Sequence, residues 1–303
     1  MPEPSTFDVV IVGGGPAGLN AALILGRCRR RVLLCDAGRP RNACSRGVHG
    51  FLTRDGIKPS ELRRTAREQL APYSSVEFRD IEVTHAACED GRFTVTLADE
   101  ARVGARKLLF AIGVMHDLPA IDGFGELWGK GVYNCPYCDG WEHHDQPIAV
   151  YGRGHSGKGF AIELTTWSRD LVLLTDGPSD LSPEDQGALE RARISVIEDR
   201  IARLEGGERG LERICFASGE ALERDALFFI QGECHVPELL TKLDCNLTSK
   251  GTVETYNYEK TNVPGLYVAG DASRRVQFAI VAAAEGAMAA FAINNELTDE
   301  DLR

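Results

Sequence analysis

The 303-residue sequence contains no apolar run near the roughly 20 residues that a membrane-spanning helix needs. Its first residues, MPEPSTFDVVIVGGG, lack the basic and apolar regions of a signal peptide. The sequence therefore predicts a cytoplasmic protein with no membrane partner.

Basic residues are fewer than acidic ones: the sequence has 34 Lys and Arg and 45 Asp and Glu, which gives a net charge of -11. Such a chain repels a nucleic-acid backbone on average. The cluster of Arg27, Arg29, Arg30 and Arg31 ends a predicted helix, where cations complement the helix dipole. We therefore expect no nucleic-acid partner.

The nine cysteines include a single CxxC pair, Cys135 and Cys138 in GVYNCPYCDGWE. A zinc site needs four ligands, and only the adjacent His143 and His144 lie near the two cysteines in sequence. Two adjacent histidines cannot readily complete one tetrahedron, so we expect no metal. A structural disulfide is also disfavoured, because so short a loop removes little chain entropy and a reducing compartment opposes it. CxxC spacing supplies a thiolate nucleophile and a resolving thiol, which favours a redox couple.

The segment FDVVIVGGGPAGLNAALILGRCRRRVLLCDAG is typical of a strand, a glycine turn, a helix and a second strand. Gly13, Gly15 and Gly18 form the GxGxxG pattern after the strand, where backbone N–H groups and a helix N-terminus meet a pyrophosphate. Asp36 ends the second strand, at the position of a carboxylate that binds a ribose hydroxyl. This unit is predicted to bind a dinucleotide.

A second unit of this kind follows in QPIAVYGRGHSGKGFAIELTTWSRDLVLLTDG. Its loop glycines are Gly152, Gly154 and Gly157. Arg153 brings a bulky side chain into the turn, and no Lys or Arg follows Thr175 to hold a 2′-phosphate, so NADPH is a poor fit. Two interpretations stay open: Asp176 holds the ribose of NADH, or the fold persists only as a scaffold.

Four segments, in this order, resemble the low-molecular-weight thioredoxin reductase family of flavoproteins: VVIVGGGPAGLNAAL, CPYCDG, YGRGHSG and VPGLYVAGDASRRVQFAIVAAAEGAMAA. The resemblance covers nearly the whole chain and implies a homodimer. It implies an α/β fold of two Rossmann-like, three-layer ββα nucleotide-binding domains, the second inserted in the first. We expect an FAD-binding domain at residues 1–115 and 246–303. A middle domain at 116–245 carries the CxxC pair and a degenerate pyridine-nucleotide fold.

The resemblance also implies where FAD binds: at the first glycine loop, at the LLFAIGV segment of a domain crossing, and at a C-terminal GD motif. The expected cofactor-binding residues are Gly13, Gly15, Pro16, Ala17, Gly18, Asp36, Gly113, Gly270, Asp271, Gln277, Phe278 and Ala279. Asp271 is expected to bind a ribityl hydroxyl of the flavin, and the alternative is a turn aspartate that caps the following helix.

By the same resemblance, Cys138 faces the flavin ring and Cys135 meets the substrate. Asp139 follows Cys138 and is a candidate acid or base for a departing thiolate if burial raises its pKa. The alternative is a solvated turn or helix-cap aspartate. His143 and His144 are candidate bases for a dithiol substrate, but we favour ordinary polar loop residues.

The predicted function is that of an FAD-dependent disulfide oxidoreductase acting on a thioredoxin-like protein or on a small dithiol or disulfide. NADPH is not expected to drive it, because LLTDGPSDLSPEDQ lacks the basic NADPH motif of the family. The stretches CPYC, GRCRRRVLLCDAGRPRN and HGFLTRDGI also resemble a branch that oxidises small dithiols and passes electrons from flavin to oxygen. Other members without the motif take electrons from ferredoxin. An alternative of another class is a flavin-bound redox sensor without turnover.

Overall fold

The chain divides into two units, each built from segments that are separate in sequence. Unit 1 comprises Met1–Ala43, Gly50–His116 and Glu233–Arg303, and unit 2 comprises Cys44–His49 and Asp117–Gly232. A computed structural model describes residues 6–115, 117–230, 238–249, 251–273 and 276–303. Because unit 1 contains both ends of the chain, the second domain is inserted in the first.

The helices and strands follow the chain from unit 1 into unit 2 and back. The first part of unit 1 contains β1 (Thr6–Val12), α1 (Pro16–Arg27), β2 (Val32–Cys35), α2 (Pro59–Leu70), β3 (Val76–Arg79), β4 (Val83–Glu89), β5 (Arg92–Leu97) and β6 (Arg102–Phe110). Unit 2 contains α3 (Phe124–Leu127), β7 (Val132–Tyr133), α4 (Pro136–Asp139), β8 (Ile148–Tyr151), α5 (Gly154–Leu164), β9 (Leu171–Leu174), α6 (Pro183–Ala192), β10 (Ser195–Ile197), β11 (Ile201–Gly207), β12 (Gly210–Phe216), β13 (Ala221–Glu223) and β14 (Ala226–Phe229). Unit 1 closes with α7 (Glu238–Thr241), β15 (Leu266–Val268) and α8 (Ala279–Asp301).

Unit 1 is built around a parallel sheet in which β3, β2, β1, β6 and β15 are neighbours. The antiparallel strands β5 and β4 extend from the first half of β6. Successive side chains of a strand point to opposite faces, and β1 buries both. Val10 and Val12 pack with residues of β4 and β5, whereas Val9 and Ile11 pack with residues of α1 and α8. Unit 1 therefore has the predicted three layers.

The helices α1 and α8 approach each other closely behind this sheet. A Cβ atom added at Gly286 would lie 2.0 Å from the carbonyl oxygen of Ala17, so a side chain there would force the helices apart. Buried alanines such as Ala289 and Ala290 complete the contact. Although α8 runs for 23 residues, no helix in the described part of the chain has the length and apolar character to cross a membrane.

Unit 2 repeats this arrangement on a smaller scale. Its parallel sheet has the order β10, β9, β8, β14 and β7, and β11, β12 and β13 form a separate antiparallel sheet. Ile148 and Val150 face the helical side, where they pack with Ala161 of α5 and Leu189 of α6. Ala149 lies on the opposite face, toward residues of β11 and β12. The predicted fold class of two Rossmann-like domains is confirmed.

The structural division differs from the expected boundaries by more than one residue in two places. Residues 44–49 belong to unit 2, where Arg46 donates a hydrogen bond to the carbonyl oxygen of Glu208 at 2.7 Å. The return to unit 1 falls at 232/233 instead of 245/246, because Leu240, Leu243 and Cys245 are buried in the unit 1 core. Part of the expected return crossing, residues 231–237, lies outside the described residues.

Candidate active site

A disulfide joins Cys135 and Cys138 at the start of α4, with their Cα atoms 5.2 Å apart. Cys135 is extended and precedes the helix, and Pro136 occupies the first helical position, where its missing N–H costs nothing. The N–H of Gly140 then donates to the carbonyl oxygen of Pro136 at 2.7 Å. A Cβ atom at Gly140 would lie 2.4 Å from that oxygen, so glycine permits this tight turn. Both half-buried cysteines are thus held in one short helical turn.

Asp139 directly follows Cys138 and has an unusual proton affinity. Burial, first, and the neighbouring carboxylate of Glu142, second, raise its pKa to about 7, while His49 acts in the opposite direction. An acid with this pKa exchanges its proton at neutral pH. His49 was not identified from the sequence, because it reaches this site only through the packing of residues 44–49 in unit 2.

The two histidines after the CxxC pair have different surroundings. His143 is half-buried, with its ring centroid 5.1 Å from that of Tyr133 and its Nδ1 atom 3.0 Å from Oε1 of Gln146. Burial lowers the pKa of His143 and raises that of Tyr133 to about 12. His144 is exposed and stacks on Trp141. Within the described part of the chain, no three metal-binding side chains come together.

Two exposed aromatic rings flank the cysteine pair. Tyr137, between the cysteines, is 62% exposed, and Trp141 is 70% exposed. Tyr137 packs edge-on against Trp167 at a centroid distance of 5.3 Å. Exposed rings of this size beside a reactive disulfide are suited to contact with a partner or substrate.

The first glycine loop joins β1 to α1 in unit 1. Gly13 has a φ of +112°, and a Cβ atom there would lie 2.3 Å from the carbonyl oxygen of Ala111. A Cβ atom at Gly18 would lie 1.9 Å from the carbonyl oxygen of Gly13. Beside Gly15, by contrast, no described atom lies within 4 Å of the Cβ position. The loop therefore packs tightly on its inner side and is open at Gly15.

The loop leads into a helix start suited to an anion. Gly15 caps α1 without a side chain, Pro16 opens the helix, and its first turn contains no acidic residue. Its N–H groups and the helix dipole can therefore receive a pyrophosphate. Ala17 is buried here against α8, and Gly113 has a φ of +66° with open space beside it.

Asp36 lies against this loop at the end of β2. One of its oxygens accepts a hydrogen bond from the N–H of Gly38 at 3.1 Å, and the other pairs with Arg67 at 2.7 Å and with Arg63. Although burial opposes the charge, these partners hold the pKa of Asp36 below its ordinary value. The two arginines, one turn apart on α2, were not identified from the sequence.

Asp271 joins a second polar cluster of unit 1. Arg41 pairs with its carboxylate at 2.7 Å and donates a hydrogen bond to the side-chain oxygen of Gln277. Burial raises the pKa of Asp271, and Arg41 opposes that effect. Phe278 and Ala279 begin α8 beside Gln277. Arg41 stands in the quoted GRPRN stretch, but nothing in the sequence indicated that it contacts residues 230 positions away.

A third polar contact fixes the GD turn itself. Gly270 has a φ of +82°, and its N–H donates a hydrogen bond to the buried carboxylate of Glu285 on α8 at 2.7 Å. The expected cofactor residues of the turn and of the start of α8 are thereby held together in unit 1. Glu285 was not identified from the sequence.

The second glycine loop differs in how its central side chain lies. The guanidinium of Arg153 donates hydrogen bonds to the carbonyl oxygens of Thr175 and Asp176, just beyond the end of β9. The Asp176 carboxylate accepts a hydrogen bond from the N–H of Ile201 at 2.8 Å. One oxygen of the carboxylate expected to meet a ribose is therefore engaged with the protein backbone.

Comparison with known proteins agrees with this geometry. The family model for "Pyridine nucleotide-disulphide oxidoreductase" matches residues 7–286. A probable thioredoxin reductase of Arthroderma benhamiae is 31% identical over 300 residues, covering 88% of this chain and 74% of the relative.

Two crystal structures resemble the whole chain. That of HlmI is 38% identical with a TM-score of 0.93 and covers 98% of this chain and 94% of its own. That of a putative thioredoxin reductase, TrxB, from Bacillus anthracis is 34% identical with a TM-score of 0.92 and covers 97% and 99%. The chain belongs to the pyridine nucleotide-disulphide oxidoreductase family and is a thioredoxin reductase-like enzyme that acts on sulfur groups.

Proposed function

We propose that the chain is an FAD-dependent dithiol–disulfide oxidoreductase that passes two electrons between flavin and an external thiol substrate through Cys135 and Cys138, without NADPH. The observation that carries the proposal is the Cys135–Cys138 disulfide next to Asp139, an acid with a pKa of about 7. The pair supplies the electron carrier, and the acid supplies the proton that thiol exchange needs.

The family implies FAD and a nicotinamide cofactor, and the residues of unit 1 fit FAD. The open backbone at Gly15 and the start of α1 suit its pyrophosphate, and Asp36 suits a ribose hydroxyl. Asp271, Gln277 and the beginning of α8 are the residues that we assign to its flavin end. When bound, FAD supplies the two-electron redox partner of the cysteine pair.

The residues of unit 2 do not fit a nicotinamide dinucleotide in the same way. Arg153 covers the carbonyl groups beyond the end of β9, the edge at which a ribose binds in this fold. Asp176 is held by the N–H of Ile201, and no basic residue follows Thr175 to pair with a 2′-phosphate. We therefore assign no step to NADPH, whereas both interpretations of Asp176, as a ribose ligand for NADH or as part of a scaffold, stay open.

An external dithiol reacts with the cysteine pair by thiol exchange. Its thiolate attacks Sγ of Cys135, a bond forms between the two sulfurs, and Cys138 leaves with the electron pair of the broken disulfide. Asp139, which is protonated below a pH of about 7, gives its proton to Cys138. The second substrate thiolate then attacks the substrate sulfur of the mixed disulfide and releases Cys135. The substrate leaves as a disulfide, and two electrons remain on the cysteine pair.

Oxidation of a dithiol with oxygen as the final acceptor is the direction that the second glycine loop favours. Reduction of a disulfide needs an electron donor, and the usual one would have to bind at the loop that holds Arg153. Ferredoxin is then the donor that a reductase of this kind would need. The exposed rings of Tyr137 and Trp141 can meet either a small dithiol or a thioredoxin-like protein.

Two further expectations belong to this proposal. A homodimer is supported by apolar side chains that unit 1 leaves exposed, among them Met288 and Phe291 of α8 at 43% and 54%. Light scattering on the purified protein measures this directly, and a monomer would contradict it. The cytoplasmic location stays a prediction from the sequence.

Steady-state oxygen uptake tests the proposed function. With dithiothreitol as the substrate, the purified flavoprotein should consume oxygen and form oxidised dithiothreitol. Cys135→Ser and Cys138→Ser should abolish this turnover and keep FAD, because neither cysteine belongs to the first glycine loop. Turnover retained in the Cys138→Ser variant would overturn the proposal, and Cys28→Ser is the control that should leave it unchanged.

A further inference from the structure

The turn that follows α5 is bound to the segment that carries the cysteine pair. The N–H of Trp167 donates to the carbonyl oxygen of Leu164 at 3.0 Å, and the carbonyl oxygen of Trp167 accepts a hydrogen bond from the N–H of Asp145 at 2.8 Å. The hydroxyl of Ser168 donates to the carbonyl oxygen of Gln146 at 2.6 Å. The chain after the cysteines is therefore attached to the end of α5, a helix of the unit 2 core.

The side chain of Trp167 reaches from this attachment to the CxxC turn itself. Its ring packs edge-on against that of Tyr137, the residue before Cys138, at an interplanar angle of 86°. After Cys138, a Cβ atom at Gly140 would lie 2.9 Å from Cδ2 and 3.0 Å from Cγ of the Trp167 ring. The indole therefore occupies the space that a side chain at residue 140 would need, and it contacts the turn both before and after Cys138 in sequence.

The ring of Trp167 is itself held in place. It is half-buried and packs against the core cluster of unit 2 that includes Tyr133, Ile148 and Leu164. Close packing of this kind resists displacement. Trp167 can therefore serve as a fixed support for the turn.

The turn needs such a support when its disulfide is broken. In the oxidised protein the sulfur–sulfur bond joins its two ends. After reduction the backbone hydrogen bonds of the turn remain: the N–H groups of Cys138 and Asp139 donate to the carbonyl oxygen of Cys135, and that of Gly140 donates to Pro136. A single helical turn held only by such bonds is unstable in water. Packing against Trp167 supplies the stabilisation that these bonds lack.

We propose that Trp167 is a positioning residue for the cysteine pair: its ring keeps the CxxC turn closed in the dithiol state and thereby favours re-formation of the disulfide. A loop that moves freely must lose conformational entropy before its two sulfurs can meet, which favours the dithiol. A turn that is already held closed has little entropy left to lose. This inference rests on the proposed function, because there the pair must close again to pass its two electrons to the flavin.

An anaerobic equilibrium with dithiothreitol tests the inference without turnover. The FAD-loaded protein is incubated with mixtures of reduced and oxidised dithiothreitol: for each protein disulfide that is broken, one molecule of dithiothreitol loses two hydrogens and closes its own disulfide. Acid quenching, alkylation of free thiols and mass spectrometry of the peptide that contains Cys135 and Cys138 give the fraction reduced. The readout is the ratio of reduced to oxidised dithiothreitol at which half of the pairs are reduced.

Loss of the Trp167 ring should make the disulfide easier to reduce. Trp167→Ala should lower the ratio about tenfold relative to the wild type, since edge-on aromatic contacts are worth up to that much. Trp167→Phe should restore most of it, because a phenyl ring can still meet Tyr137 edge-on. Tyr137→Ala, at a residue that is 62% exposed, should lower the ratio about threefold without endangering the fold. An unchanged ratio in Tyr137→Ala or in folded Trp167→Ala would overturn the inference.

A control variant separates this contact from general stability. Trp128→Ala removes a tryptophan of the same unit that packs on Phe229, at a centroid distance of 5.3 Å, in a different core cluster. It should lower the free energy of unfolding and leave the ratio unchanged. An equal shift in this variant would show that loosening of unit 2 as a whole sets the equilibrium, and would overturn the inference. Absence of dithiol turnover in the wild type would instead overturn the proposed function, whereas a shift confined to the variants of Trp167 and Tyr137 would still support the positioning role.

Discussion

Unit 1 and unit 2 share a parallel sheet, a glycine loop and a helix, but the middle residue of the loop differs. In unit 1 it is Gly14, where a Cβ atom would lie 2.4 Å from the carboxylate of Asp36. In unit 2 it is Arg153, whose guanidinium binds the carbonyl oxygens of Thr175 and Asp176. The two loops thus differ in whether the side chain of their middle residue lies at the end of the second strand.

The two units also use their carboxylates differently. Asp36 lies against an open loop and is held by two arginines, whereas Asp176 binds the N–H of the following strand. The distinctive acid of unit 2 is instead Asp139, beside the disulfide. The carboxylate with a lowered pKa thus lies beside the glycine loop in unit 1, whereas in unit 2 the acid with a raised pKa lies beside the cysteine pair.

The largest effect, a loss of turnover, is expected when the acid beside the cysteine pair of unit 2 is removed. Asp139→Asn should lower dithiol turnover at pH 7 by at least about 100-fold, the usual contribution of a general acid. In the wild type, the proton-dependent step should weaken as the pH rises through about 7, the pKa of Asp139. Stopped-flow measurement over pH 5.5–8.5 checks both points. A variant that keeps this pH dependence would show that another group is the acid.

Closing the loop of unit 1 should weaken the FAD binding that we propose for it. Gly18→Ala brings a Cβ atom to 1.9 Å from the carbonyl oxygen of Gly13, which is backbone and cannot move aside cheaply. Overpacking of this kind costs about 1–3 kcal/mol, so FAD affinity should fall about 10- to 100-fold. Flavin absorbance per protein measures the loss. Gly159→Ala is the matched control, because no described atom lies within 4 Å of its Cβ position, and an equal loss there would contradict the account.

Asp139 should also make the free energy of unfolding depend on pH. Its pKa is about 7 in the folded chain and near 4 in an unfolded one. Between these values the unfolded state has lost the proton and the folded state has kept it, so wild-type stability falls as the pH rises from 4 to 7 and stays reduced above. At pH 8, Asp139→Asn should raise the free energy of unfolding by on the order of 2 kcal/mol. Urea unfolding at pH 8 and pH 5 should show a smaller gain at pH 5, and an equal gain would contradict the assigned pKa.

The smallest effect is expected from opening the loop of unit 2. Arg153→Gly removes the guanidinium from Thr175 and Asp176, so NADH affinity should rise about tenfold, which corresponds to about 1.4 kcal/mol. NADPH should gain less, because no basic residue follows Thr175. Calorimetry compares the variant with Arg209→Gly, an exposed arginine of a turn in the same unit. Wild-type affinity equal to that of the variant would show that Arg153 blocks nothing.

Local patterns in the sequence predicted the two nucleotide-binding units, and the family resemblance implied that the second is inserted in the first. The apolar runs and the GxGxxG spacing identified β1, α1 and β2 and their counterparts β8, α5 and β9, because each pattern spans only about 30 residues. The family relationship that these segments indicated is confirmed as well. The CxxC pair was equally local: its spacing favoured a redox couple, and the two cysteines form a disulfide.

The side chains around the site were harder to predict from the sequence, because their contacts join distant parts of the chain. His49 meets Glu142 across 93 positions, and Arg41 meets Asp271 across 230. The sequence identified Arg153 as bulky but gave no direction for its side chain. The expected boundary at 245/246 differs from the structural division because α7 and the residues after it pack on unit 1.

An anaerobic titration of the oxidised flavoprotein tests most directly whether electrons enter through the cysteine pair and not through a nicotinamide. Absorbance of the flavin is followed as NADPH, and then dithiothreitol, is added to the wild type and to Cys138→Ser. We expect dithiothreitol to bleach the wild type only, NADPH to bleach neither protein, and air to restore the colour. Stoichiometric bleaching of the wild type by NADPH would contradict this expectation.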